Sequence, residues 1–325
     1  MAGSAPEEVR DGVSLTNLDQ PLFDGAEATK RDLVDYIDAM TERLIPQLRD
    51  RPLSVIRVRP GQPPFMQKNV PKYTPDWVPT VPVWSESTKR EVSYALANDR
   101  RTLLWFANQR AVEYHPTLVT VANWEHQTHL ILDLGPPAEV EGAAGFRLAV
   151  RAAQLVQQVL TDAGLAGAAK TSGAKGVHVF VPLTPAAMGD VAAATRAIAA
   201  RAETLDPDLA TTAFIRKDRH GKVFLDSTRS GGATVVAAYS PRVRAGAPVS
   251  FPVPWSDLAE VTPKDFTIGS VPGLLGDADR WAERMPPPQS LPADLVAAGH
   301  EIPIARVQAM HEGKRRARAR RKTES

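Results

Sequence analysis

The sequence predicts a mixed α/β fold, and three observations carry that reading. Short apolar runs read as strands at residues 129–134 (HLILDL), 177–183 (VHVFVPL) and 222–226 (KVFLD). Two stretches read as helices: residues 146–160, closing near Gly164, and the alanine-rich residues 190–204. No internal repeat recurs and no convincing linker divides residues 14 to about 280, so these elements are expected to share one layered domain.

The elements follow in chain order. The small, charged opening MAGSAPEEVRDG predicts disorder over residues 1–13, with order starting near Ser14. Thr29 and Asp32 form a helix-capping pair, after which Leu33, Ile37, Met40, Leu44 and Leu48 recur at helical spacing. One amphipathic helix bent at Pro46 is expected there. Residues 53–58 read as a strand, and Pro60, Pro63, Pro64, Pro71, Pro75, Pro79 and Pro82 then predict a long exposed loop. Strand, helix, strand, helix and strand fill the rest of a domain assigned to 14–284. A C-terminal extension over 285–312 opens on Pro286, Pro287 and Pro288, and a basic tail occupies 313–325.

Composition narrows the function classes. The 325 residues are 43% hydrophobic, enough for a sizeable core, and the absence of cysteine excludes disulfides and thiolate metal sites. The first thirty residues lack a signal-peptide pattern, and no apolar run reaches the ~20 residues of a membrane span, so a cytoplasmic protein without membrane contact is expected. The formal net charge of +2 conceals an asymmetry. The tail segment KRRARARRK at 314–322 contributes seven positive charges, which leaves the remainder at −5. Such an arm is attracted to polyanions; a solvated terminus that only aids solubility is the plain alternative.

Chemistry concentrates in three segments: Asp133-Leu134-Gly135 at a strand end, Ser172-Gly173-Ala174-Lys175-Gly176-Val177-His178 leading into another strand, and Asp226 closing a third. An Asp at a strand end also serves as a turn residue, and His178 between two valines fits a buried, hydrogen-bonded histidine. The Ser172–Gly176 turn, with two glycines and Lys175, suits a triphosphate cradle. No G-K-[ST] occurs, which disfavours a Walker-type ATPase. Residues 57–77 hold Arg57, Arg59, Lys68 and Lys72 against one acid, Asp76, with Phe65, Tyr73 and Trp77 interleaved. That surface suits nucleic acid, cations on phosphates and aromatics on bases; burial of the aromatics in the core is the alternative.

In order and content these segments resemble the primase-like polymerase domain of bacterial DNA ligase D, in the archaeo-eukaryotic primase superfamily. LTNLD at 15–19, ATKRD at 28–32, FMQK at 65–68, EYHP at 113–116 and AYSPRVRAGAPVS at 238–250 add to the likeness, which spans roughly 14–268. The resemblance implies a primase-like mixed α/β fold. It also implies nucleotidyl transfer in DNA repair, of the end-joining or gap-filling kind, with two Mn²⁺ or Mg²⁺ ions. Asp133 and Asp226 would be catalytic metal ligands. His115, Ser172, Lys175, Arg229 and Arg244 would contact the nucleoside triphosphate, and Lys30, Arg57, Phe65 and Lys68 the DNA. Partners implied are DNA ends or gapped DNA, Ku and a separate ATP-dependent ligase, since no K-x-D-G ligase motif is present. A bacterial cytosolic location near the nucleoid follows.

The chain departs from the family at two positions. The family's D-x-D pair aims two carboxylates at one site, because residues i and i+2 of a strand share a face; here the second position is Gly135. Two-metal transfer needs carboxylates that bridge ions ~3.5–4 Å apart, so activity is compromised unless Glu139, Glu141 or Glu113 substitutes. Gln20 stands where the family often has a phosphate-gripping lysine. A catalytically degenerate paralogue that binds DNA ends or nucleotides is therefore the alternative reading, and primer-independent synthesis is a third.

Overall fold

A computed structural model describes residues 8–85 and 89–304. The chain divides into two compact units, each assembled from separated stretches. The described residues of Met1–Glu125, Lys170–Ala174 and Thr234–Arg284 form the first, and those of His126–Ala169, Lys175–Ala233 and Met285–Ser325 the second. Among the described residues, no helix is long and apolar enough to cross a membrane.

In the first unit order begins earlier than expected. Glu8–Arg10 and Val13–Leu15 form a hairpin whose turn residues Asp11 and Gly12 both have positive φ, as an Asp-Gly two-residue turn requires. Arg10 contacts Glu8, Asp35 and Asp38, and Val13 and Leu15 are buried, so charge pairing and burial order a segment that composition marks as disordered. The Thr29–Asp32 capping box forms as expected at the start of the Lys30–Ala39 helix. The break falls at Met40 rather than Pro46: a second helix, Thr41–Leu48, contains Pro46, and the buried Thr41 hydroxyl donates to the Ile37 carbonyl at the junction.

The proline-rich stretch is not one loop. Gln62–Gln67 and Thr80–Ser85 are strands at the two ends of the path through a five-stranded sheet with Leu53–Arg59, Arg90–Ala95 and Ala111–Pro116. Proline is tolerated at sheet edges and irregularities. Here Pro63 and Pro64 fall where the register with Leu53–Arg59 shifts, and Pro82 lies on an end strand opposite Ser93.

In the second unit, the strands Ala210–Thr211, Val223–Asp226, His126–Gly135 and Val177–Ala187 lie side by side in that order. The helices Gly142–Asp162 and Met188–Leu205 pack on this sheet and on each other. Residues beyond Arg284 are built into the same unit. Gln289 donates its backbone amide to Pro182 and makes paired hydrogen bonds to the Ala166 backbone. The Ala293–Glu301 helix lies so close to Met188–Leu205 that a Cβ on Gly299 would sit 1.8 Å from the Ala193 carbonyl oxygen. The basic tail at 313–325 lies outside the described residues.

Candidate functional site

Three strands of the second unit bring acids and a histidine into one row. Asp226 pairs directly with Asp133 on one side, and His178 pairs with Asp133 on the other. Directly paired residues on adjacent strands share a face, so all three side chains leave the same side of the sheet. His178 Nε2 lies 3.3 Å from Asp133 Oδ1. Thr228 donates its amide and hydroxyl to Asp226 Oδ1 at 2.9 and 2.6 Å, which fixes that carboxylate. Arg229 bridges the pair: its Nη2 is 3.3 Å from Asp133 Oδ2 and its Nε 3.3 Å from Asp226 Oδ2.

Gly135 lies two residues beyond Asp133 on the same strand, opposite Phe224. A Cβ there would meet nothing within 4 Å, and its φ is not in the left-handed region, so neither space nor backbone requires glycine at this position. The next glycines differ. Gly173 has φ +66 and would drive a Cβ to within 2.8 Å of the Ser250 nitrogen, while a Cβ on Gly176 would lie 2.1 Å from the Leu134 carbonyl oxygen. The Ser172–Gly176 turn therefore needs its glycines.

Among the described residues, Glu139 and Glu141 are exposed, and Glu141 pairs with Lys175 at 3.3 Å. Among the described residues no group of three or more His, Asp or Glu side chains gathers as a metal cluster. Asp133 and Asp226 would hold a divalent cation through hard carboxylate oxygens, and Gly135 adds no side-chain ligand to them.

The first unit gathers a separate polar group. Glu113, buried on the Ala111–Pro116 strand, accepts from His115 Nε2 at 2.9 Å and from the Val243 amide at 2.9 Å. Arg242 Nε lies 3.1 Å from the same carboxylate, off the hydrogen-bonding direction, so that contact is ionic. Arg242 Nη1 also donates to the Ser172 carbonyl. Burial would raise the Glu113 carboxyl, but His115, Arg242 and the Val243 amide together hold it at about 2. Burial lowers the His115 pKa, against the pull of Glu113.

Arg244 is exposed and lines a pocket of about 910 Å³ with Gln20, Arg59, Arg110 and the backbone near Leu22. Gln20 accepts from Arg110 at 2.7 Å. Lys30, expected at a DNA phosphate, is buried instead, its ammonium donating to Thr16 O and to Asn108 Oδ1 at 2.6 Å. Burial, with the charge of Arg110, pushes its pKa down to about 8. Arg57 is likewise buried and donates to the Gln109 backbone and side chain, Gln67 and Tyr73. Both are occupied struts rather than surface cations. Lys68 is exposed, and Phe65 lies under the Arg59 guanidinium at 4.7 Å.

Sequence reasoning undervalued His178 and passed over Arg242. Strand alternation was the available signal for His178, two residues from Gly176 and in the row of Asp133. Arg242, two residues before Arg244, carried no signal that separates the two arginines before folding.

The LigD primase-polymerase domain model matches residues 29–281. The chain is 32% identical over 269 residues to the bifunctional non-homologous end joining protein LigD of Bacillus subtilis, covering 81% of this chain and 42% of that protein. It is 33% identical over 281 residues to the multifunctional non-homologous end joining DNA repair protein LigD of Mycobacterium tuberculosis, covering 83% and 36%. The chain thus spans less than half the length of these relatives. The solved polymerase domain of Mycobacterium tuberculosis Ligase D, in complex with DNA, superposes with a TM-score of 0.76 at 27% identity, covering 84% of this chain and 97% of that one. On the matched span and the shared mixed α/β fold, the chain belongs to the LigD primase-polymerase domain family.

Proposed function

We propose that this chain is a nucleotidyltransferase domain for DNA repair, of the end-joining or gap-filling kind, whose chain extension is curtailed at Gly135. The observation that carries the reading is the direct opposition of Asp133 and Asp226, an arrangement with no structural need for two acids. Like charges on paired positions destabilise a ladder unless a cation offsets them. Hard carboxylate oxygens suit Mn²⁺ or Mg²⁺, which when bound stabilises charge on a transferring phosphoryl group. Asp133 and Asp226 would hold it, and with one carboxylate absent the second ion lacks a bridge.

In this reading the nucleoside triphosphate is contacted by His115, Ser172, Lys175 and Arg244, with Arg229 moving from the carboxylates to a phosphate. Lys68, Phe65 and Arg59 face DNA. The solved relative's complex with DNA supports DNA as the partner, and ends or gaps are the form the end-joining reading implies. Ku and an ATP-dependent ligase activity are partners by the same family reasoning, and the work is cytosolic, beside the nucleoid.

A second reading, a DNA-end or nucleotide-binding protein without extension, is favoured by one observation: Arg229 contacts both carboxylates and offsets their charge. The two readings share binding and divide on extension. Fluorescence anisotropy with a gapped, 5′-phosphorylated duplex and with the intact duplex tests what they share. Tighter binding to the gapped duplex, with nucleoside triphosphate binding in Mn²⁺, is expected. Equal affinity for both duplexes and no nucleotide binding would overturn the proposal.

A further inference from the structure

Glu113 has a role that the metal and phosphate contacts do not use. It lies two residues before His115 on one strand, paired with Ile56 as His115 is paired with Ser54, so both side chains share a face. Its carboxylate meets His115 Nε2, the Val243 amide and the Arg242 guanidinium within 3.1 Å, and only 3% of the residue is exposed. An ionised carboxylate accepts hydrogen bonds and donates none. His115 Nε2 must therefore carry the proton. In a neutral imidazole the other nitrogen, Nδ1, is then a lone-pair acceptor. An acceptor repels phosphate oxygens, themselves acceptors, and attracts a hydroxyl.

We propose that Glu113 is a positioning residue that fixes the Nε2–H tautomer of His115, so that Nδ1 accepts a hydrogen bond from a sugar hydroxyl of the bound nucleoside triphosphate. This rests on the reading of His115 as a nucleotide contact. The phosphates fall instead to side chains that donate. Arg242, committed to Glu113 and Ser172, stiffens the same group.

The test compares binding of a ribonucleoside triphosphate with its 2′,3′-dideoxy analogue to the full chain, by calorimetry in Mn²⁺. The wild type is expected to prefer the hydroxylated ligand by about tenfold, the scale of one net hydrogen bond. Glu113→Gln frees the tautomer, because an amide both donates and accepts, and should reduce that preference to about twofold or less while affinity for the dideoxy analogue holds. His115→Ala should do the same, and the double variant should add nothing.

An unchanged preference in Glu113→Gln overturns the role of Glu113 while nucleotide binding stands. Indifference of both ligands to His115→Ala overturns the nucleotide contact itself, and this proposal with it.

Discussion

Asp133 and Asp226 face each other across one rung of an antiparallel ladder, and a single guanidinium, that of Arg229, contacts both at 3.3 Å. The arrangement makes Arg229 a competitor of any cation that binds the pair. Two partly exposed ion pairs are worth roughly 1 kcal/mol together. Arg229→Ala is therefore expected to raise Mn²⁺ affinity about five- to tenfold by calorimetric or electron-spin-resonance titration. Weaker Mn²⁺ binding in the variant would make Arg229 a support of the site instead.

Lys30 provides a separation of structure from recognition. Removing its ammonium leaves Thr16 O and Asn108 Oδ1 without their donor, which costs about 1–3 kcal/mol. Lys30→Met should melt earlier and bind gapped DNA with unchanged affinity. The pH dependence follows from the sign of the shift. The folded pKa of about 8 lies below the ordinary 10.5, so the folded state binds fewer protons between the two, and wild-type stability relative to the variant rises over that window. Thermal melts from pH 7 to 10.5 check both statements, and a loss of DNA affinity without loss of stability would return Lys30 to the phosphate.

Arg57 and Lys68 should divide the same way. Arg57, buried with four hydrogen bonds, is expected to lower stability by about 2–4 kcal/mol on replacement by Ala. Exposed Lys68 is expected to leave stability within about 0.5 kcal/mol and, if it meets a phosphate, to reduce the salt slope of DNA binding by about one. Denaturant melts and anisotropy at several salt concentrations measure the pair.

Gly299 tests whether the segment beyond Arg284 belongs to the folded unit. A methyl group there meets the Ala193 backbone at 1.8 Å, so Gly299→Ala must push the two helices apart and should cost about 1–3 kcal/mol. A melting temperature equal to wild type would mean that the C-terminal helix contributes nothing to stability.

The strands and helices that carry the acidic row were legible because their burial follows simple periods: residues 129–134 and 177–183 are apolar runs, and Thr29 with Asp32 is a complete cap. The hairpin at 8–15 was legible too, in its Asp11-Gly12 turn, but charge and small residues outweighed that signal. Pro63, Pro64 and Pro82 misdirected the loop assignment because proline excludes only paired donors, and end strands leave donors unpaired. Lys30 and Arg57 look like surface cations in sequence. Only their partners, above all Asn108 and Gln109 far along the chain, turn them inward. Glu113 was visible as an acid two residues before His115, but Arg242, 127 residues on from His115 in the chain, had to be brought beside it before its role could be read.

Gly135 is the decisive position, since a Cβ there meets nothing within 4 Å and Asp133 and Asp226 are in place. The most direct measurement is primer extension on a gapped, 5′-phosphorylated duplex with Mn²⁺ and ribo- or deoxynucleotides, wild type beside Gly135→Asp. Strong gain of extension in the variant, by at least the ~10–100-fold that lesser changes around metal ligands produce, is the expected result. Full extension by the wild type with no gain from the new carboxylate would contradict it.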